Sequence, residues 1–200
     1  MRKSHDQRQQ EIVQAALELA ADQGVARATT AAIAERVGIA QPTVFRHFSD
    51  RDAIFRAAID TVGQGMQAEL GPLFDGDGPP DQRLRRILNA QLAYISRFKG
   101  MPRILFSDRL HLEAPVLKAD VRTIMGGLAG RFTELIREGV GAGRFGPVDP
   151  ETAAWQVIAL IQGTLLRWSL YDFAFPLEEQ GETLWGFVAG ALRVPGADPA

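Results

Sequence analysis

Apolar positions recur with a helical period along most of the chain, and no stretch alternates with the period of two that a half-buried strand needs. Over Arg8–Gln23, strong helix formers place Ile12, Ala16, Leu19 and Ala20 on one stripe, and Gly24 stops the run. Thr29-Thr30 supplies a capping hydroxyl for a short helix that turns Ile33, Ala34 and Val37 inward and ends at Gly38. Ile39 and Ala40 make a turn. Pro42 then opens a second short helix at its first position, with Val44 and Phe48 facing in. Ser49 is expected to cap a fourth helix, with Asp52 completing a capping box, and Ile54, Phe55, Ala58, Ile59 and Val62 lead that helix towards Leu70. The run GPLFDGDGPP, Gly71–Pro80, reads as a break. Beyond it the pattern predicts a helix over 81–99, a short element over 102–112, and helices over 115–140, 150–173 and 177–193. The expected fold is all-α, about nine helices: a three-helix N-terminal head over 1–52 and a larger helical body over 53–200.

Two short helices joined by a tight turn form a helix-turn-helix, whose second helix fits a DNA major groove. Such a helix needs amide and hydroxyl groups at its start for base edges, with cations and donors behind them for phosphates. The outward residues Gln41, Thr43, Arg46 and His47 supply both.

Thr29, Thr30, Ile33, Ala34, Gly38, Ile39, Thr43, Val44, Phe45, His47, Phe48, Arg51 and Ile54 match a longer pattern, T-T-x-x-[IL]-A-x-x-x-G-[VI]-x-x-x-T-[LV]-[YF]-x-H-F-x-x-[KR]-x-x-[LI]. On these residues the segment resembles the DNA-binding domain of the TetR (tetracycline-repressor-like) family. The resemblance implies base contacts from Gln41, Pro42 and Thr43, and phosphate contacts from Thr30, the Phe45 position, His47 and Arg51. Phe45 stands where a tyrosine is common, so the phosphate bond of that hydroxyl is absent; Arg51 replaces the more usual lysine and keeps its charge. The resemblance further implies a homodimer held by the last two helices, a double-stranded DNA operator and a small-molecule effector acting through the body.

Charge adds one qualification. The chain of 200 residues carries a net charge of -2, and residues 1–60 hold equal numbers of basic and acidic side chains. Any basic surface is therefore local, built from Arg46, His47, Arg51, Arg27 and Arg2-Lys3, which implies weak non-specific DNA binding. The chain has no cysteine, which excludes disulfides and thiolate metal sites and fits a reducing cytoplasm. No apolar run is long enough to span a bilayer and no signal-type apolar segment follows Arg2-Lys3, so a cytoplasmic protein without a membrane partner is expected.

The run over 150–173 is apolar on nearly every face and must be covered on more than one side. Ile161, Leu165 and Trp168, with Leu184, Val188 and Leu192 of the last helix, are the candidate dimer interface, two helices from each chain forming a four-helix bundle. Tyr94, Gln162 and Arg167 are polar groups on apolar helices that need a partner or a cavity. They are candidate ligand contacts, together with Phe106, Met125 and Phe132, although the aromatic residues read mostly as core. An apolar lining would suit a hydrophobic or aromatic effector.

The remaining chemistry is thin. Gly141-Ala-Gly143-Arg-Phe-Gly146 spells G-x-G-x-x-G, yet a helical pattern precedes it and Pro147 and Pro150 follow, so it reads as a helix terminus rather than a nucleotide loop. His111-Leu-Glu113 lacks the cysteines that would complete a zinc-deaminase signature. With no triad and no Walker loop, neither an enzyme, a metal site nor a cofactor is expected. The competing readings are a DNA-bound family member that works without an effector, and an all-α carrier or enzyme that uses its apolar interior.

Overall fold

The computed structural model describes residues 4–193. Among them, nine α-helices follow in chain order: α1 (His5–Gln23), α2 (Thr30–Val37), α3 (Gln41–Phe45), α4 (Arg51–Asp75), α5 (Pro80–Ile95), α6 (Gly100–Leu105), α7 (Pro115–Gly141), α8 (Pro150–Leu170) and α9 (Gln180–Ala191). A 3-10 turn at Val25–Arg27 and a π-helical turn at Arg109–Glu113 link some of them, and no strand occurs among the described residues.

Local chemistry accounts for most helix ends. A capping box starts α1: the Ser4 hydroxyl accepts from the Gln7 amide at 3.1 Å, and the Gln7 side chain accepts from the Ser4 amide at 3.0 Å. Gly24 then leaves helical geometry at φ 85°. Thr29 caps α2 through the Ala32 amide, and Gly38 ends it in the left-handed region at φ 73°, where a Cβ would be strained.

At two boundaries the structure departs from the sequence pattern. The cap of α4 is Asp50, not Ser49: Asp50 Oδ1 accepts from the Ala53 amide at 2.8 Å, while Ser49 only donates to the Asp50 carboxylate. A helix that begins at Arg51 needs its acceptor at residue 50, and this releases Asp52 from capping. Nor does the chain break at Gly71. Helix α4 runs through Pro72 to Asp75, because a proline this close to the end deletes one backbone bond while Leu70 and Phe74 are buried on either side of it.

The described chain divides into two compact units. One takes the residues up to Gln64 together with Phe98–Arg122. In it α1 packs on α2 and α6, and a Cβ at Gly100 would collide with the backbone carbonyl of Leu17. Arg109 of the π-helical turn holds Asp52 at the start of α4, with Nε at 2.8 Å from Oδ1, and also reaches Glu113 at 3.2 Å. One turn further along α4, Arg56 forms a two-pronged pair with Asp120 of α7 at 2.7 and 3.0 Å.

The other unit takes Gly65–Arg97 together with the chain from Thr123 onward. Helix α5 packs on α9, where Asn89 lies against Gly181 and Arg85 grips Glu182 at 2.6 Å. Phe74 and Phe132 meet edge to face at 5.2 Å, and Asp81, buried at the start of α5, takes both prongs of Arg144. Those two hydrogen bonds hold the Asp81 carboxyl below its usual range. The G-x-G-x-x-G run closes α7, with Gly143 at φ 66° and the buried Phe145 ring folded against Gly139.

Burial in α8 and α9 bears on the expected dimer residues. Ile161, Leu165, Trp168, Leu184, Val188 and Leu192 are all buried by the chain's own core. The side left open on α8 carries instead Trp155, Leu166 and Leu170, and on α9 Phe187, which is 66% exposed. Positions 155, 166 and 170 return to one face of a helix, and the same period turns 161, 165 and 168 inward.

Candidate nucleic-acid interface

The interface begins with the turn that sets α3 against α2. The Gly38 amide closes on the carbonyls of Ala34 and Glu35, and the Ile39 amide on Ala34 at 2.9 Å. Ala40 takes an extended conformation, and Pro42, the second residue of α3 rather than the first, needs no amide partner there. Ile33 of α2 and Val44 of α3 are fully buried, and the two helices pack on each other. Helix α3 itself ends at Phe45, although the Phe48 amide still reaches the Val44 carbonyl at 3.0 Å and Phe48 is buried as its spacing requires.

That packing turns Gln41, Pro42, Phe45 and Arg46 to the surface, with Thr43 and His47 half-buried. Gln41 and Thr30 meet: the Gln41 amide donates to the Thr30 hydroxyl at 2.9 Å, tying the start of α3 to the start of α2. Arg51 is half-buried over the Phe55 ring and donates to the Ala26 carbonyl at 3.3 Å, so part of its donor fork is already engaged. Burial, aided by Arg109, pulls its pKa below the ordinary arginine value.

Helix α1 contributes residues that the sequence reading passed over. The His5 ring stacks on the His47 ring with centroids 4.4 Å apart, and Gln9 donates to the His47 carbonyl. Partial burial, then the neighbouring His5, Arg46 and Arg8, lower the pKa of His47. Their positions before the first apolar stripe gave no period to follow; only the fold brings them to α3.

A phosphate beside His47 would favour its charged form and reverse that shift. Complex formation would then take up a proton, so operator affinity is expected to rise as pH falls through the histidine range. His47→Asn should flatten that slope in a fluorescence-anisotropy titration at constant salt; an unchanged slope would place His47 away from the phosphates. For Arg51→Ala we expect weaker binding to every sequence and a fall of about one unit in the slope of log K against log salt concentration. A slope that stays put would remove Arg51 from the interface.

The expected ligand residues fall in both units, Phe106 in one and the other five in the other. Gln162 and Arg167 lie on the exposed side of α8, because that helix is left uncovered there. Gln162 reaches the sulfur of half-buried Met125 at 3.7 Å; Arg167 donates to Gln180 at 2.9 Å and covers the Phe175 ring. Phe106 is partly exposed on the unit that holds the helix-turn-helix. Tyr94 and Phe132 are buried, with the Tyr94 ring and hydroxyl directly over Gly65 of α4. An open cleft of about 860 Å³ over α7 is lined by Arg83, Arg131, Arg137, Asp75, Glu134 and Glu138, whose charges pair off, and by none of these candidates. His111 is exposed, with Nε2 3.0 Å from the Leu105 carbonyl.

Gln91, like Asp81 and Arg83, is a buried polar residue of α5. It is 5% exposed, and no protein group lies within hydrogen-bonding reach of its Oε1. A buried amide group without a partner costs about 1–3 kcal/mol. Its signal was present: an amide four residues after Ile87 sits on the same apolar stripe as Leu84, Leu88 and Ile95.

A three-helix head with a polar, solvent-facing second helix defines a helix-turn-helix DNA-binding protein. The model for bacterial regulatory proteins of the TetR family matches residues 12–58, and that for the C-terminal domain of BetI-type transcriptional repressors matches residues 111–193. The chain belongs to the TetR family of transcription regulators. It is 26% identical over 188 residues to the nucleoid occlusion factor SlmA of Vibrio vulnificus, covering 93% of this chain and 96% of that protein. In fold it is similar to the fatty acid degradation regulator FadR of Bacillus halodurans, with a TM-score of 0.80 at 17% identity, over 97% of this chain and all of that one. It is likewise similar to SmeT of Stenotrophomonas maltophilia in complex with triclosan, with a TM-score of 0.78 at 22% identity, over 95% of this chain and 93% of that one. Among the described residues no helix is long and apolar enough to cross a membrane.

Proposed function

We propose that this protein is a ligand-responsive repressor that binds a pseudo-palindromic operator as a homodimer and leaves it when a small, largely apolar effector enters the body. The observation that carries the DNA half is the exposed start of α3, with Gln41 oriented by Thr30 and Thr43 beside it. Two-fold symmetry would set the half-sites about 34–36 Å apart or at a multiple of that spacing. The reading also makes the protein a cytoplasmic regulator and not an enzyme. The effector half draws support from the fold likeness to SmeT, whose complex contains triclosan. An effector acts only through differential affinity for the two states, DNA-competent and released.

A second reading has its own observation. The likeness to the nucleoid occlusion factor SlmA runs along 93% of the chain, and supports a DNA-bound factor whose role is nucleoid occlusion; such a factor could work without a small effector. Electrophoretic shift with the DNA upstream of the protein's own gene, followed by a small-molecule panel on the complex, separates the two. Release by an apolar compound supports the first reading. A shift that no compound reverses supports the second, and no shift with any genomic fragment removes both.

A further inference from the structure

The best-buried arc of α5 has a polar residue at its centre. Taking about 100° per residue, Arg83, Ile87 and Tyr94 lie to one side of Gln91, and Leu84, Leu88 and Ile95 to the other. All of them are buried. Asn89, two residues earlier and so on the opposite side of the helix, rests on Gly181 of α9, which turns Gln91 away from α9. On the Gln91 side, Tyr94 stands over Gly65 of α4, while Arg83 bonds the Phe74 carbonyl of α4 and Glu138 of α7. Gln91 therefore faces α4 and α7, inside the body.

We infer that Gln91 is the polar anchor of the effector site, taking the hydroxyl group of an otherwise apolar small molecule. The inference rests on the ligand-responsive reading above. Chemistry selects the class. The Oε1 acceptor has no protein donor, so a bound molecule that brings one would satisfy it. A hydroxyl fits best: it donates to Oε1 and can accept from the same amide, whereas an ether only accepts. Ile87, Leu84, Leu88 and Ile95 around it are apolar, and Arg83 on the same arc is already engaged by Glu138 and the Phe74 carbonyl, so most of the molecule must be apolar. A site built around one hydrogen bond rejects analogues that leave its polar group unmet.

The test uses two matched pairs: 4-phenylphenol with 4-methoxybiphenyl, and 1-decanol with its methyl ether. Calorimetry on the full-length protein should show each hydroxyl compound binding about tenfold more tightly than its ether, the size of one neutral hydrogen bond. Gln91→Met and Gln91→Leu should erase that preference while both variants keep their helical circular dichroism and their operator binding. Equal binding of alcohol and ether by the wild type, a preference that survives in both variants, or no binding of any of the four would overturn the assignment. Operator release is scored on the same samples. A Gln91-dependent preference without release keeps the site and removes the ligand-responsive reading. Release that ignores Gln91 keeps that reading and removes the site.

Discussion

Leu166→Asp or Phe187→Asp should convert the protein to a monomer that keeps its helical circular dichroism and loses tight operator binding. Both side chains are open to solvent in the single chain, at 39% and 66% exposure, so an aspartate at either position disturbs little within it. Trp155, Leu166 and Leu170 make an apolar strip on α8 that needs a cover, and α9, packed on α8, adds Phe187. If a second copy supplies that cover, two-fold symmetry places each new charge in the interface twice. An unpaired buried charge costs several kcal/mol, enough to separate a micromolar dimer at assay concentrations. A lone head offers one short recognition helix and few cations, so operator affinity should fall by about 100-fold or more. Val188→Asp and Leu184→Asp are the contrasting pair. Those residues are 1% and 7% exposed, so a charge there should unfold the body rather than divide a dimer. Light scattering and circular dichroism on the same samples decide between the outcomes. Variants of Leu166 and Phe187 that remain dimeric would move the interface off this face.

The same two helices show where the sequence is ambiguous. In α8, leucine, isoleucine, alanine and tryptophan occur all round, so composition announces a helix with two covered sides without saying which residues face which. Three-dimensional packing supplies the answer: Ala154, Val157, Ile158, Ile161, Leu165 and Trp168 take the core, and the other side is left to Trp155, Leu166 and Leu170. The helix-turn-helix was legible for the opposite reason. Its determinants are local: a threonine cap, a left-handed glycine and a proline in a first turn each act within a few residues. The cap of α4 was misplaced by one residue, since both Ser49 and Asp50 are good caps and only the helix start chooses between them. The run from Gly71 reads as a break because propensity weighs its glycines and prolines without the burial of Leu70 and Phe74.

Distance along the chain explains the rest of what was hidden. The union of Asp52 with Arg109 and of Arg56 with Asp120 joins residues 57 and 64 positions apart, which no local pattern encodes. These pairs place the start of α4 in the same unit as α6, the π-helical turn and the start of α7. The start of α4 is thus held by two charged clamps. A displacement of the start of α4 must carry the π-helical turn and the start of α7 with it or break those pairs.

Gln41→Ala should relax operator discrimination at one base pair per half-site by about 1–3 kcal/mol, leaving affinity for unrelated DNA nearly unchanged. Glutamine is the right length for a two-pronged contact with adenine, donating to N7 and accepting from N6. In the free protein that donor is held by the Thr30 hydroxyl at 2.9 Å. The amide is thus already oriented at the exposed end of α3, and less rotamer freedom has to be lost when a base replaces or shares the threonine. Thr30→Val keeps the shape of the side chain and removes the hydroxyl, so it separates two roles. If Thr30 orients Gln41, Thr30→Val loses discrimination at the same base pair as Gln41→Ala, and the double variant loses little more than either alone. If Thr30 instead binds a phosphate, as the family resemblance implies, Thr30→Val weakens every sequence alike and adds fully to Gln41→Ala. Titration of single-base operator variants at fixed salt reads both quantities. Full additivity with uniform loss would leave Gln41 to act alone, and an unchanged base preference in Gln41→Ala would take α3's first residue out of the recognition site.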